Sequence, residues 1–208
     1  MEFVHVDPAR ISARETYALL LKCVAPRPIA FVSTMSPDGG FNLAPFSFFT
    51  AGGANPPSVV FSPTANRSGA PKDTLRNIEA IGEYVINVVT YAMREGMNET
   101  SPEYPYGVSE WDKARFTQAP CVHVRPPRVL ESPLAMECRL FQVVSHGAGP
   151  MAASYVIGEV VGFHIAQNLL DDANVDPGRV DYIARMSGDW YARANAASMF
   201  EMPRPPRG

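Results

Sequence analysis

Two apolar runs separated by a turn, near the N-terminus, constrain the fold of this chain most strongly. Residues 26–34 (PRPIAFVST) and residues 41–49 (FNLAPFSFF) are rich in Val, Ile, Phe and Thr, which suit a pleated strand. Between them, residues 37–40 (PDGG) supply the proline and glycines that a tight reversal needs. The pattern predicts an antiparallel hairpin that turns at about residue 38.

The second of these runs mixes polar groups with aromatic rings. Asn42 and Ser47 interleave with the rings of Phe46, Phe48 and Phe49. Hydrogen-bonding groups beside flat apolar surface suit a planar aromatic ligand with polar edges. If the strand continues through residue 49, alternation places Phe46 and Phe48 on one face and Phe49 on the other. At least one of the three rings is therefore expected in the core.

A polar loop then leads into a short amphipathic helix, predicted at residues 73–81. The free N–H groups of a helix start, a threonine hydroxyl and a nearby cation together make a phosphate site. We therefore expect phosphate contacts from Thr74 and from Lys72 or Arg67. Asp73 or Thr74 is the predicted N-cap, and Asp73, which would repel phosphate, is interpreted as the cap that orients the turn. The alternative is a capped surface helix without a ligand.

Length and composition limit the class of protein. The chain has 208 residues, of which 46% are hydrophobic and 19% charged, so we expect one compact domain spanning residues 1–208. A net charge of −3 gives no broad basic surface, which argues against a nucleic-acid partner. Three cysteines without CxxC spacing predict no structural disulfide. No window approaches the roughly 20 apolar residues that span a bilayer, so we expect a cytoplasmic protein without a membrane contact.

The rest of the chain alternates between β-type runs and short helices. Residues 100–119 form a loop-rich excursion with Tyr104, Tyr106 and Trp111. An excursion of this length is typical of a binding edge or a subunit contact, with an ordinary surface loop as the alternative. The remaining predicted elements are helices at 13–22, 91–99 and 177–184, strands at 27–35, 58–62, 83–89, 134–144 and 155–165, and a terminal segment at 186–200.

The order and spacing of these segments resemble the flavin reductase-like family, whose fold is the FMN-binding split barrel. The resemblance covers about residues 15–203 and leaves a Pro-rich tail at 204–208. It implies a mainly β fold with flanking helices, built as an antiparallel split β-barrel. The matching residues are Arg27-Pro28, Ser33-Thr34, Asn42, residues 44–49, 72–77, 83–87, 131–133, Glu137-Cys138, 157–161, His164, Arg185, Gly188 and Tyr191.

The resemblance also implies which residues hold the cofactor. His164 is expected beside the flavin or nicotinamide and is the candidate catalytic residue, although a lone histidine among strand valines is more often a packing residue. No two histidines have metal-ligand spacing, and no metal is expected. The candidate cofactor-binding residues are Arg27, Ser33, Thr34, Asn42, Ala44, Pro45, Ser47, Phe48, Phe49, Ser62, Lys72, Asp73, Thr74, Arg185 and Tyr191.

Several of these candidates also have ordinary structural interpretations. Arg27 lies between two prolines that hold its backbone extended, so it either grips an anion or flavin carbonyl or is an exposed edge-strand arginine. Ser33 and Thr34 either bond a ribityl chain or phosphate, or simply cap a turn. Arg185 and Tyr191 could close over the cofactor. The residues alone leave these alternatives open.

The function implied by the resemblance is NAD(P)H-dependent reduction of FMN, with FAD as the alternative flavin. Reduced flavin would pass to a partner monooxygenase or to oxygen, and a homodimer would give residues 91–119, which include the excursion, a role in trans. The chain has neither GxGxxG nor GxxxxGK[ST], so NAD(P)H is expected as a diffusing substrate. Two alternatives remain: a non-enzymatic FMN-binding electron carrier or sensor, and a flavin-dependent oxidoreductase of a small organic substrate, as in the related pyridoxamine phosphate oxidase barrels.

Overall fold

A computed structural model describes residues 1–105, 108–172 and 174–205. Tyr106, which belongs to the predicted excursion, and residues 206–208 of the tail lie outside the described residues. None of the helices in the described part of the chain has the length and apolar character needed to cross a bilayer. The helices are α1 (Ala13–Cys23), α2 (Asp73–Ile81), α3 (Arg94–Glu99) and α4 (Glu110–Ala114).

The strands confirm most of the predicted β runs. The long strands near 134–144 and 155–165 extend further than predicted, because they pair with each other over almost their full length. The strands are β1 (Ala30–Met35), β2 (Phe41–Phe46), β3 (Phe49–Ala54), β4 (Pro57–Phe61), β5 (Glu83–Val88), β6 (Gln118–Ala119), β7 (Arg128–Val129), β8 (Leu134–His146), β9 (Ala153–Ile165), β10 (Leu170–Asp171), β11 (Asn174–Val175), β12 (Tyr182–Arg185) and β13 (Tyr191–Ala194).

One antiparallel sheet of seven strands forms the body of the protein, in the order β2-β1-β5-β8-β9-β4-β3. The strands β2 and β3 are therefore its two edges, yet only Ser47 and Phe48 separate them along the chain. The sheet must curl strongly for such a short connection to join its opposite edges. This open, curled sheet with helices beside it confirms the predicted mainly β, antiparallel fold class.

The sheet is buried on both sides at β1. Ala30 and Val32 belong to a core cluster that also contains Phe61, whereas Phe31 belongs to a second cluster that contains Trp111. Successive strand residues point to opposite faces, so an alternating strand that is apolar throughout must be covered on both. The continuous apolar run at the start of the sequence therefore forms a central strand, and its polar residues are buried as well.

The predicted strand at 41–49 is interrupted, which corrects the expected placement of its rings. The chain leaves β2 after Phe46 and enters β3 at Phe49, so alternation does not continue across the break. Phe46 and Phe49 both pack against the first core cluster. Phe48 instead contacts Tyr17 of α1, with ring centroids 5.8 Å apart. The prediction that Phe46 and Phe48 share a face is wrong.

The predicted helix at 177–184 is also wrong. Residues 177–179 make a single 3-10 turn, and Asp181 then adopts a left-handed backbone with φ of 46°. The chain continues as β12, which pairs with β13 across the turn that contains Gly188. A left-handed residue ends a helix because an L side chain clashes with the backbone in that conformation.

Packing in the first core cluster gives a stability prediction at Gly158. A Cβ at this position would lie 1.8 Å from the hydroxyl oxygen of Tyr84, whose side chain is fully buried. We expect Gly158→Ala to cost about 2 kcal/mol, which lowers the unfolding midpoint by roughly 4–8 °C in a chain of this size. Differential scanning calorimetry measures the shift. Gly53→Ala is the matched control, because the nearest atom to its added Cβ is 4.0 Å away.

A second variant identifies the clash as the cause. Tyr84→Phe removes the oxygen that lies closest to the added methyl group but leaves Cζ, which is 2.7 Å away. The double variant Gly158→Ala/Tyr84→Phe should therefore recover part of the lost stability, so that the effects of the two substitutions on the free energy of unfolding are less than additive. Full additivity, or equal losses in Gly158→Ala and Gly53→Ala, would contradict the packing argument.

Candidate functional site

A cavity of about 450 Å³ opens where the curled sheet brings the end of β2, the end of β4 and the start of α2 together. Residues 100–104 and Glu110 of the excursion complete its wall. The excursion therefore lines a cavity of its own chain, and its predicted role in trans stays a prediction. The predicted site residues that line this cavity are Asn42, Ala44, Pro45, Ser47, Phe48, Ser62, Lys72, Asp73 and Thr74.

The start of α2 differs in detail from the sequence prediction. The N-cap is Lys72, whose carbonyl accepts the N–H groups of Leu75 and Arg76, and no side chain caps the first turn. Asp73 is the first helical residue, and its carboxylate lies 3.4 Å from the Arg76 guanidinium. The predicted cap at Asp73 or Thr74 is therefore wrong. Because the first N–H groups of a helix lack intrahelical acceptors, this turn has donors for an anion in the cavity.

A buried polar network holds Asn42 at the inner wall. The amide satisfies its neighbours when its nitrogen faces the two oxygens of Glu110, at 3.2 and 3.3 Å, and its oxygen accepts the Thr74 hydroxyl at 3.0 Å and the Leu43 N–H at 3.1 Å. The Thr74 side chain is 1% exposed and bonded to Asn42, which corrects its predicted role as a hydroxyl ligand of phosphate.

Glu110 is a cavity residue that the sequence analysis missed. Its carboxyl group is buried, and this burial, together with the nearby Asp73 charge, raises its pKa, while the N–H of Leu43 acts in the opposite direction. A single glutamate in a segment predicted as loop-rich belongs to no recognisable motif. The length of the excursion was the signal in the sequence for this part of the site. Its contact with Asn42 bridges distant segments of sequence.

Two ion pairs lie at the cavity wall, Lys72 with Glu103 and Asp73 with Arg76. Lys72 Nζ forms an ion pair with Glu103, and both side chains are partly exposed. Glu103 lies in an irregular segment and is half-exposed, so its carboxylate can turn into water when another anion approaches Lys72. Ser62, at the end of β4, differs because its buried hydroxyl has no hydrogen-bond partner within the described structure. The cavity thus has a lysine whose ammonium group can change partners, and a serine hydroxyl without a hydrogen-bond partner in the described part of the chain.

Three predicted ligands lie inside the sheet. Ser33 and Thr34 are fully buried on β1, and Thr34 Oγ1 accepts a hydrogen bond of 3.0 Å from Asn77 of α2. Phe49 packs in the first core cluster. The assignments of Ser33 and Thr34 to the cofactor site are therefore corrected, because a central strand covered on both faces presents no side chain to a ligand. The assignment of Phe49 is corrected for a different reason: it lies on the edge strand β3, partly buried against the core, and is not part of the cavity wall.

Arg27 has a structural role in place of the predicted ligand contact. It is 3% exposed, and its guanidinium donates to the carbonyls of Leu21, Val24 and Met186. Its Nε lies 3.3 Å from the Ser47 hydroxyl at the cavity rim. Burial lowers its pKa, and Arg185 lowers it further. Its donors are therefore used by the protein itself.

Arg185 and Tyr191 lie together, but at a second cavity of about 420 Å³. They are paired across β12 and β13, with the Arg185 guanidinium 4.5 Å from the centre of the Tyr191 ring. Arg185 also donates to the carbonyl of Gly188. The structure does not bring this pair to the wall of the first cavity, so their predicted closure over the cofactor is not supported within one chain.

His164 also lies outside the wall of the first cavity. Its Nε2 is 2.6 Å from Glu137, a carboxylate that is 1% exposed. Burial pushes the pKa of Glu137 upward, but the N–H groups of Val122 and His123 and the His164 ring outweigh burial, so its pKa is below its ordinary value. The catalytic role of His164 stays a prediction from the resemblance.

Comparison with known proteins places this fold and cavity in a family. A profile described as flavin reductase like domain matches residues 22–183. An uncharacterized protein of Halalkalibacterium halodurans is 37% identical over 202 residues, which cover 96% of each chain.

Solved structures share the fold of this chain. Nitrilotriacetate monooxygenase component B from Bacillus cereus superimposes with a TM-score of 0.91 at 30% identity, covering 97% of this chain and 100% of that one. The 2-nitrobenzoate 2-nitroreductase NbaA of Pseudomonas fluorescens gives 0.85 at 27% identity, covering 99% and 100%. A putative flavin reductase with a split barrel domain from Shewanella frigidimarina shares the fold, with a TM-score of 0.79 at 24% identity and coverage of 99% and 100%. The predicted resemblance is thus confirmed: this chain belongs to the flavin reductase-like domain family.

Proposed function

We propose that this protein is an NAD(P)H-dependent flavin reductase that binds FMN in the cavity between β2, β4 and α2. The observation that carries the proposal is the composition of this one cavity in a chain of the flavin reductase-like family. An aromatic and proline wall, formed by Pro45, Phe46 and Phe48, faces hydrogen-bonding groups and a helix start. A planar ring with polar edges and a phosphate tail needs this combination.

The donors in the cavity fit FMN group by group. The unpartnered Ser62 hydroxyl is available to a polar ring edge or to the ribityl chain. The first turn of α2 and Lys72 suit the terminal phosphate, provided that Glu103 releases the lysine. FAD is the alternative flavin, with its additional nucleotide extending toward solvent. We favour FMN because the phosphate donors lie within the cavity.

The protein's own residues position the reactants and exclude water. When bound, the flavin supplies the redox chemistry by accepting a hydride from the nicotinamide. Phe48, which is braced by Tyr17, provides a wall on which a flat ring can rest. Asn42 is held in one orientation by Glu110 and Thr74, so its position requires no reorganisation when a ligand binds.

Partners complete the proposal. One of the structural relatives is named as component B of a monooxygenase, and we propose that this chain likewise supplies reduced flavin to a monooxygenase.

We also propose a homodimer. The two longest strands, β8 and β9, expose large apolar side chains, including Phe141 at 72% and Phe163 at 62%. A second copy of the chain would cover such a surface.

A second candidate function is direct reduction of a small organic acceptor by the bound flavin. It is favoured by the structural similarity to a protein named as a 2-nitrobenzoate 2-nitroreductase. In this case the flavin stays bound, and the acceptor enters the open side of the cavity. A nitroaromatic carboxylate is the acceptor class to test first.

Steady-state oxidation of NADH and NADPH, followed without oxygen, separates these functions. For a flavin reductase, added free FMN should be reduced over many turnovers. For the second candidate, nicotinamide oxidation should require 2-nitrobenzoate and should not respond to free flavin. Nicotinamide oxidation that neither 2-nitrobenzoate nor free flavin stimulates would contradict both functions. A preparation that takes up neither FMN nor FAD on titration would remove the flavin site itself.

A further inference from the structure

Three side chains with metal-ligating atoms meet at a point outside the flavin cavity. They are Cys121, which follows β6, Glu137 of β8 and His164 of β9, and their ligand atoms all lie within 4.8 Å of one another. Glu137 is buried and the other two are partly buried. None of the three belongs to the wall of either large cavity. The proposed flavin chemistry uses neither Cys121 nor Glu137, and the role predicted for His164 rests on the family resemblance alone.

The outer contacts of the cluster resemble those of a formed metal site. The Glu137 carboxylate accepts the N–H groups of Val122, His123 and Val124. These bonds fix the orientation of the carboxylate, as hydrogen bonds around a metal commonly do for its ligands. The backbone from 122 to 124 thus also fixes the neighbouring Cys121. The three ligands are held by separate strands and a tethered loop.

Gly162, the Cα partner of Glu137 on β9, leaves one side of the cluster without a further side chain. A side chain at Gly162 would come within 3.4 Å of Glu137 Oε1 and within 3.0 Å of the His123 ring. Cys121 and His164 are partly exposed, so solvent can reach the cluster. Three protein ligands and one solvent position make the four-coordinate arrangement that zinc adopts.

We propose that Cys121, Glu137 and His164 form a binding site for a divalent transition-metal ion, with Zn²⁺ as the best-matched ion. One sulfur, one carboxylate oxygen and one imidazole nitrogen are a mixed donor set that suits Zn²⁺ and disfavours Mg²⁺ or Ca²⁺. On binding, the ion takes the place of the 2.6 Å hydrogen bond between His164 and Glu137. These two atoms move apart by roughly 0.7 Å, because ligand atoms about 2.0 Å from a tetrahedral ion are about 3.3 Å from each other. The ion displaces the thiol proton of Cys121, which passes to solvent, and the proton shared by His164 Nε2 and Glu137, which is replaced by one that Nδ1 of the neutral ring takes up from solvent.

The test uses the full-length protein, freed of metal with a chelator and titrated with Zn²⁺ in competition with a chromophoric zinc indicator. We expect about one Zn²⁺ per chain. The isosteric variant Cys121→Ser should lower the affinity at least about tenfold. Cys23→Ser is the matched control, because Cys23 is exposed at the end of α1, and its affinity should equal that of the wild type. FMN affinity should be unchanged in both variants, so failure of the zinc site is distinguishable from failure of the flavin site.

Co²⁺ gives a second, independent measurement. After subtraction of the metal-free spectrum, the wild type should show a thiolate-to-cobalt charge-transfer band that Cys121→Ser lacks and Cys23→Ser keeps. His164→Ala should abolish Zn²⁺ binding, with circular dichroism to establish that the variant is folded. The proposal is overturned by a wild type without stoichiometric Zn²⁺ binding, or by equal affinities in Cys121→Ser and the wild type.

Discussion

Replacing Arg27 with methionine is expected to lower the unfolding midpoint by roughly 8–16 °C. The guanidinium donates to Leu21 and Val24 at the end of α1, and to Met186 near the C-terminus. The last carbonyls of a helix have no intrahelical donors, so Arg27 supplies the partners that this end of α1 needs. Loss of three charge-assisted bonds from a guanidinium that is itself buried costs about 4 kcal/mol. Calorimetry of the purified variant gives the value.

Two variants distinguish this cause from general damage. Arg27→Lys keeps the charge but has no planar fork, and a single ammonium group cannot reach three carbonyls in different directions, so less than half of the loss should be recovered. Arg14→Met changes an exposed arginine of the same helix and should shift the midpoint by less than about 2 °C. If Arg27→Met also shifts the unfolding midpoint by less than about 2 °C, the three hydrogen bonds contribute little to stability.

The fold was largely predictable because its information is local. Apolar runs with β-type residues and glycine-containing turns specify antiparallel strands, and the capping box at Ser12 and Glu15 specifies the start of α1. The break between β2 and β3 was not predictable. Residues 46–48 alternate between ring and hydroxyl as a strand would, and the chain leaves β2 after Phe46 because it must reach the opposite edge of the sheet.

The site was predictable in part, for the same reason. Local sequence patterns predict β2 and the start of α2. The curl of the sheet then brings residues of these two elements together at the cavity. Long-range contacts carry no such signal. Met186 lies 159 residues from Arg27 in the chain, and Glu110 lies 67 residues from Leu43. Ser33 and Thr34 were assigned to a ligand because their hydroxyls suggest exposure, yet their strand is the most deeply covered one.

The second large effect is expected at Lys72, where alanine should weaken FMN binding about tenfold. A charge-assisted hydrogen bond to phosphate contributes about 1.5–3 kcal/mol, and part of it is offset because Lys72 gives up its ion pair with Glu103. A net loss of about 1.4 kcal/mol is a tenfold change in Kd. Quenching of flavin fluorescence on titration measures it. Lys22→Ala, at the end of α1, is the control.

Two further comparisons assign the effect to the phosphate. Riboflavin has the same ring and ribityl chain without the phosphate, so Lys72→Ala should leave riboflavin affinity unchanged. Glu103→Gln should tighten FMN binding several-fold, because it removes the anion that competes for the lysine, and it too should leave riboflavin unaffected. If riboflavin and FMN weaken equally in Lys72→Ala, the lysine acts on the cavity as a whole, and the phosphate must then be placed away from the start of α2.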